Sequence, residues 1–277
     1  MQLRVRHTTG YRYPEGAIAS FNEARMTPMT TADQILLRSR VEVTPTPWTT
    51  EYRDYWGSVV TAFEVHEPHD ELLVVATSTV QTSGPAAVEQ RVPWEALDDV
   101  RDRHVEFLTV SEWVASPADL LAELEPVRGQ AATPSAYAHA VCDFINDRLN
   151  YVEGATEVTS TGADAWEARS GVCQDFAHIA LGVLRSAGIP ARYVSGYLHP
   201  NQDPEVGEEV AGESHAWIEW WDGAWIGFDP TNDRAADAHH VIVARGRDYD
   251  DVPPLRGIYS TRGGSELFVN VAVTRLA

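Results

Sequence analysis

Three side chains with the chemistry of nucleophilic acyl transfer occur in order in the second half of the chain. Cys173 stands where a Gly-containing loop, Arg169-Ser170-Gly171-Val172, runs into a helical pattern over residues 174–187. A thiol at a helix N-terminus faces unpaired backbone N–H groups and the positive end of the dipole, which favour thiolate. The same N–H groups can hold the oxyanion of a tetrahedral intermediate. A thiolate nucleophile needs a base to take and return its proton, and that base needs an orienting partner. His215, in Ser214-His215-Ala216-Trp217, and Asp229, in Gly227-Phe228-Asp229-Pro230-Thr231, are the candidates for the two roles. The second cysteine, Cys142, falls beside core positions of another helix and reads as structural.

His215 and Asp229 lie on two successive strand-like runs, over residues 215–221 and 224–228. If His215 faces Asp229 across an antiparallel pair, Trp220 faces Ala224 and the loop is Trp221-Asp222-Gly223. Three-residue hairpin loops commonly end on a left-handed residue, a conformation that glycine adopts without a Cβ clash, and Gly223 sits there. This register puts Ala216, Ile218 and Trp220 with Phe228, Ile226 and Ala224 on one apolar face. His215 and Asp229 then share the other, with Cβ atoms ~4.5–5.5 Å apart. A two-residue Asp-Gly turn would separate them to opposite faces. We expect the three-residue loop.

Upstream elements frame this hairpin. Residues 1–83 alternate apolar and polar positions in short runs, at 3–6, 35–43, 56–65 and 72–80, broken by Pro, Gly, Asp and Asn. Period-two runs at this spacing predict an antiparallel β-sandwich or barrel-like domain. Thr82-Ser83-Gly84-Pro85 reads as a linker. We therefore divide the chain into a β-rich unit at 1–85 and a unit at 86–277 that carries helices, the chemistry and C-terminal strands. Ser116-Pro117 announces a helix over 118–124, and Thr133-Pro134 a stronger one with Tyr137, Val141, Phe144, Ile145 and Leu149 on one face. Gly188 and Pro190 stop the Cys173 helix. Strand patterning follows at 191–198 and, near the end, at 241–244 and 267–274. Residues 201–214, rich in Glu and Gly, read as a solvated loop.

The remaining polar residues have plainer readings. His178 is a packed core histidine of the Cys173 helix, and His239-His240 precedes a strand without metal-ligand spacing. Asp229-Pro230-Thr231-Asn232-Asp233 lacks the spacing and glycine of a calcium loop.

Composition removes whole classes of function. Against 41 acidic residues stand 21 basic ones, all of them Arg, for a net charge of −20. A chain so acidic lacks the basic face that nucleic acid or an anionic membrane surface requires, and the absence of lysine limits Schiff-base chemistry. Two cysteines are too few for a disulfide scaffold or a thiolate zinc site. No run approaches the roughly 18 apolar residues of a membrane span. The opening segment has no signal-peptide character, so the expected location is the cytoplasm.

Four ordered blocks resemble the bacterial transglutaminase-like superfamily, a papain-like group with a Cys-His-Asp triad that includes cysteine proteases. They are Gly171-Val172-Cys173-Gln174-Asp175-Phe176-Ala177-His178, Gly188-Ile189-Pro190-Ala191-Arg192-Tyr193-Val194-Ser195-Gly196-Tyr197, His215-Ala216-Trp217 and Phe228-Asp229-Pro230-Thr231. The resemblance spans about residues 130–235, and the first ~85 residues look like the N-terminal domain that accompanies this core in many bacterial members. It implies an α+β fold in which a cysteine-bearing helix packs on an antiparallel sheet. It assigns Cys173 as nucleophile, His215 as base and acid, and Asp229 as orienter, with Gln174 and Asp175 supporting the loop. The implied reaction is acyl transfer on a peptide or protein substrate without metal or organic cofactor. Hydrolysis stands ahead of transfer to an amine, and a catalytically silent binding module is a third reading. The family's side-chain oxyanion donor has no clear match: Trp166 lies upstream, but in a helical, core-like setting, leaving the Cys173 N–H as donor.

Overall fold

A computed structural model describes residues 1–84 and 92–277; of the expected linker, Pro85 lies outside the described residues. The chain opens with five strands: β1 (Gln2–Thr27), β2 (Gln34–Thr44), β3 (Trp48–Arg53), β4 (Val59–Val65) and β5 (His69–Thr82). Three short 3-10 turns between Trp94 and Val114 lead to α1 (Ala118–Gln130) and α2 (Pro134–Asn146). Then come β6 (Asn150–Tyr151), α3 (Gly162–Ala168), β7 (Ser170–Gly171) and α4 (Cys173–Ser186). The rest is strand: β8 (Ala191–Leu198), β9 (Glu209–Trp221), β10 (Trp225–Asp229), β11 (Arg234–Ala235), β12 (His240–Gly246), β13 (Leu255–Thr261) and β14 (Glu266–Arg275).

The period-two segments all become antiparallel strands, but their organisation differs from a series of short runs. β1 is a single strand of 26 residues whose halves have different partners. Its first half runs between β5 and β14, and its second half between β4 and β13. The Tyr13-Pro14-Glu15-Gly16 punctuation changes partners without ending the strand, because Gly16 adopts a positive φ and the β1–β5 register slips between Arg12 and Ala17. The Glu- and Gly-rich stretch also departs from a loop: Glu209 to Gly212 are strand, paired with β14. Those residues are mostly exposed, so no apolar alternation marked them. Through these pairings twelve strands form one hydrogen-bonded network, and β6 pairs with β7 apart from it as a short parallel pair.

Two cores result. A smaller one gathers Tyr13, Met26, Phe63, Leu72 and Val74 within the N-terminal strands. The larger one encloses α4, whose Phe176, Ala177, Ala180, Leu181, Val183 and Leu184 are essentially inaccessible, and it reaches Leu3, Val5 and Val80 of the N-terminal strands. α4 packs on β8 and β9, with α2 and α3 beside it. Helix ends follow the sequence signals: Thr133 Oγ1 accepts the Ala136 N–H at 3.1 Å to cap α2, and Gly188 closes α4 with φ +84°. Cys142 is buried in α2, as its core setting implied.

Charge is buried as well. Arg185 of α4 donates to the carbonyls of Ala191 at 3.0 Å and Thr109 at 2.9 Å, and to that of Arg247. Glu219 of β9, 5% exposed, is clamped by Arg192 of β8 and by Arg245 of β12, the latter at 2.7 Å and 3.0 Å. Burial acts to raise the Glu219 pKa, but the Arg245 and Arg192 guanidinium groups hold it below the usual range. Removing the carboxylate strands two guanidinium groups in a low-dielectric setting. Glu219→Ala is expected to lower unfolding free energy by about 3–5 kcal/mol, read from the urea midpoint against wild type.

Candidate active site

Cys173 is the first residue of α4, half-buried, and its approach is fixed by Asp175 two residues on. Asp175 Oδ2 accepts the Val172 N–H at 2.7 Å and the Thr156 hydroxyl at 2.6 Å, so the carboxylate ties the loop before the cysteine to a second loop. That reach-back from the third helical position is half of a capping box. Gly171 is required by the same contact, since a Cβ there would lie 2.6 Å from Asp175 Oδ2. Gln174 Nε2 donates to the Val158 carbonyl at 3.2 Å, bracing the other side.

His215 lies on β9 and Asp229 at the last position of β10. The hairpin loop has three residues, but they are Asp222-Gly223-Ala224, and Trp220 pairs with Ile226 rather than Ala224. The register is therefore displaced by two residues from the sequence expectation. Its cause is a cross-strand pair of Trp221 and Trp225, ring centroids 5.6 Å apart, with the His104 ring against both. A shift of two preserves the side-chain face, so Ile218 and Trp220 still align with Phe228 and Ile226. His215 and Asp229 still meet, now as diagonal neighbours: His215 Nε2 donates to Asp229 Oδ2 at 2.7 Å.

Both partners are sealed, His215 at 5% exposure and Asp229 at 0%. With Nε2 committed to the carboxylate, the other ring nitrogen, Nδ1, is buried and has no hydrogen-bond partner. It faces Cys173 closely enough that the sulfur raises the proton affinity of the ring. Burial alone would lower the His215 pKa, but the hydrogen bond it donates to Asp229 and the interaction with Cys173 outweigh it and raise it to about 10. Burial pushes the opposite way on Asp229, and its bonds to His215, His240 and Asn232 hold the carboxyl far below the usual range.

The turn after Asp229 wraps that carboxylate. Oδ1 accepts the backbone N–H of Thr231 at 3.0 Å and of Asn232 at 3.2 Å, and Oδ2 accepts Asn232 Nδ2 at 2.7 Å. The segment that faintly resembled a calcium loop is thus an anion cradle. Trp166 is buried in α3 with its indole N–H on Asp119 Oδ2 at 3.3 Å, turned to a partner of its own. Tyr151 of β6 stands near the thiol; burial, then the charges of Cys173, Glu213 and Glu153, push its phenol up to about 12. Nothing in its sequence surroundings marked Tyr151, because it reaches the cysteine only through the β6–β7 pairing of Tyr151 with Gly171. His178 is fully buried and accepts the Tyr249 N–H at Nε2, 3.2 Å away, as a packed core histidine. His240 differs from its plain reading: its Nε2 lies 3.4 Å from Asp229 Oδ2.

This arrangement, a half-buried thiol at a helix N-terminus beside an imidazole backed by a buried carboxylate, meets the family comparisons on common ground. The chain belongs to the transglutaminase-like superfamily: residues 124–230 match the model of that superfamily, and residues 3–81 match the bacterial transglutaminase-like N-terminal region. An uncharacterized protein of Mycobacterium leprae is 45% identical over 278 residues, covering 100% of this chain and 99% of that one. A Pseudomonas aeruginosa protein named protein-glutamine gamma-glutamyltransferase is 38% identical over 81 residues, 26% of this chain and 12% of that one. Among solved structures, a putative cysteine protease from Cytophaga hutchinsonii has the same fold, with a TM-score of 0.80 and 23% identity over 100% of this chain and 91% of that one. Among the described residues, no helix is long and apolar enough to cross a membrane.

The raised proton affinity of His215 has a consequence for stability. A group whose pKa rises from 6.5 unfolded to about 10 folded contributes stability that is complete below pH ~6.5 and is lost as pH climbs through 10. Unfolding free energy of the wild type is expected to decline between pH 7 and pH 10. In His215→Gln that decline should flatten, as measured by urea titration at half-unit pH steps.

Proposed function

We propose that the chain is a thiol-dependent acyl-transfer enzyme that uses Cys173, His215 and Asp229 to hydrolyse a peptide or amide bond. The observation that carries this reading is the buried His215–Asp229 pair, Nε2 on Oδ2 at 2.7 Å, with Cys173 close enough to raise the proton affinity of the ring. Proton transfer from the thiol to Nδ1 gives a thiolate–imidazolium pair, which the buried Asp229 carboxylate stabilises. The thiolate attacks the substrate carbonyl, and the N–H of Cys173 at the start of α4 receives the developing oxyanion. His215 gives its Nδ1 proton to the leaving amine, the C–N bond breaks and a thioester remains. Neutral His215 then takes a proton from water as the water attacks the thioester, releasing the acid and the free thiol. Every step uses side chains of this chain, without metal or organic cofactor. Two free thiols suit a reducing compartment, and we place the protein in the cytoplasm.

Transfer to an amine differs only in the second step, and the local likeness to a protein-glutamine gamma-glutamyltransferase favours it as a second reading. Mass spectrometry of a peptide-amide library, incubated with and without a primary amine, separates the two: hydrolysis yields acid products in both mixtures, whereas transfer yields an amine adduct.

Two variants test the machinery. Cys173→Ala is expected to abolish acyl-enzyme formation with unchanged thermal unfolding; labelling of that variant by a thiol-directed electrophile at the wild-type rate would remove Cys173 from the role. Asp229→Asn is expected to lower kcat by ~10³–10⁴-fold with a much smaller effect on KM, since an orienting carboxylate acts on the reaction step.

A further inference from the structure

The hydrogen-bonded chain that starts at His215 does not stop at Asp229. We propose that His240, anchored by Asp237, is a positioning residue that fixes the Asp229 carboxylate against His215. The proposal rests on the triad reading above and extends it by two residues. The working unit becomes Cys173, His215, Asp229, His240 and Asp237.

The hydrogen bonding is directional. Asp229 Oδ2, part of an ionised carboxylate, can only accept, so the His240 Nε2 that lies 3.4 Å away carries its proton and donates. At the far side of the ring, Nδ1 makes one of two bonds to Asp237: bare, it accepts the backbone N–H at 3.1 Å, and protonated, it donates to Oδ1 at 3.2 Å. Asp237 is itself tied down, by Arg234 at 2.7 Å and by the His239 backbone N–H at 2.9 Å and Nδ1 at 3.0 Å. His240 is the first residue of β12 and 4% exposed. The Trp217 ring is edge-on to it at 5.1 Å and stacks on His215 at 6.2 Å, so one indole braces both imidazoles.

The anchor has work to do because the ring has space beside it. A cavity of about 340 Å³ opens on this side, lined by His240, Asp237 and Trp217 with the Arg192, Glu219 and Arg245 cluster. The charged and titratable groups around His240 are therefore Asp229 from β10, His215 from β9, Arg234 from β11, Asp237 and His239 from the turn before β12, and, across the cavity, that ion cluster and Asp33. Without the bond to Asp237, rotation into the cavity would release Oδ2. His215, Asp229 and His240 also bring three ligand-type atoms within 4.8 Å of one another. Each of those atoms is already engaged in the hydrogen bonds described, which makes a proton network the fitting description.

A bond of 3.4 Å is long and contributes little charge stabilisation by itself. Its value is directional. Oδ1 is held by two backbone N–H groups, and His240 with Asn232 sets the remaining freedom, rotation of Oδ2 about the carboxyl axis. The effect should therefore appear in the ionisation of the Cys173–His215 pair rather than in overall stability.

The test uses full-length protein and iodoacetamide, a neutral alkylating probe, with the Cys173 adduct followed by mass spectrometry between pH 5 and 10. Wild-type Cys173 is expected to be alkylated at pH 6 faster than a free cysteine peptide run in parallel. His240→Leu, which keeps bulk and removes the donor, should cut the rate at pH 6 by about tenfold. His240→Gln, whose amide nitrogen replaces Nε2, should restore most of that rate. Asp237→Ala keeps the imidazole but removes its carboxylate anchor and should cut the pH 6 rate by about threefold, which keeps the test alive if the leucine variant does not fold. Profiles of the folded variants that superimpose on wild type would overturn the positioning role while leaving the triad standing. A wild-type Cys173 that reacts only as an ordinary thiol would overturn the triad reading, and the extension with it.

Discussion

A carboxylate with no access to solvent must be repaid for its lost hydration, and the geometry around Asp229 follows from that requirement. An ionised carboxylate moved into a protein interior costs several kcal/mol unless hydrogen bonds and counter-charge replace its water. Five N–H groups do so here: two from the backbone of Thr231 and Asn232, one from the Asn232 amide, and one from each of His215 and His240. To deliver them, the chain must turn sharply after β10, run back along β11 and bring the first residue of β12 over the carboxylate. The site is thus a product of anion solvation. Once Asp229 is held charged, a neighbouring imidazole is stabilised in its protonated form, and a thiol beside that imidazole has a place to send its proton.

The candidate residue types were legible in the sequence because each sits at a boundary that local rules mark. Cys173 follows a glycine loop into an amphipathic helix, and His215 and Asp229 sit on two runs joined by a short loop with a glycine. Face parity survived even though the register was off by two, because strand periodicity fixes the face while the exact partner depends on packing. The Trp221–Trp225 pair that chose the register is a tertiary preference, reinforced by His104 from more than a hundred residues upstream. His240 was hidden for a related reason. Two histidines before a strand carry no chemical signature by themselves, and their meaning depends on how many residues the turn after Asp229 consumes. Tyr151 and Glu219 were silent too, one placed by a two-residue parallel pairing and the other a lone glutamate in a strand whose two guanidinium partners come from different strands.

The long strands were legible in kind and illegible in extent. Alternation over residues 3–6 and the pairs further on announces β structure, but nothing local says that one strand continues for 26 residues and changes partners midway. Nor does a run such as Glu209 to Gly212 announce itself, since Glu209 and Ala211 are exposed and Val210 and Gly212 only half-buried against β14. Backbone hydrogen bonding, not hydrophobic pattern, makes that segment a strand. Sequence patterning reads burial, and it fails where sheet formation proceeds without it.

That silent segment has a structural consequence, because β9 serves two sheet neighbourhoods along its length. Its first residues pair with β14, which pairs in turn with β1 of the N-terminal unit. From Glu213 onward it pairs with β8, and from Ile218 with β10. His215 lies just past the changeover, opposite Gly196 of β8. The imidazole is therefore placed by a strand whose two ends are tethered to different parts of the molecule, and a slip of β9 against β14 by one residue would turn His215 from Asp229 to the opposite face. The β14 pairing sets the register at one end and the hairpin with β10 sets it at the other. On this geometry the N-terminal strands are more than a neighbour of the chemistry: through β1 and β14 they help fix which face of β9 looks toward the sulfur.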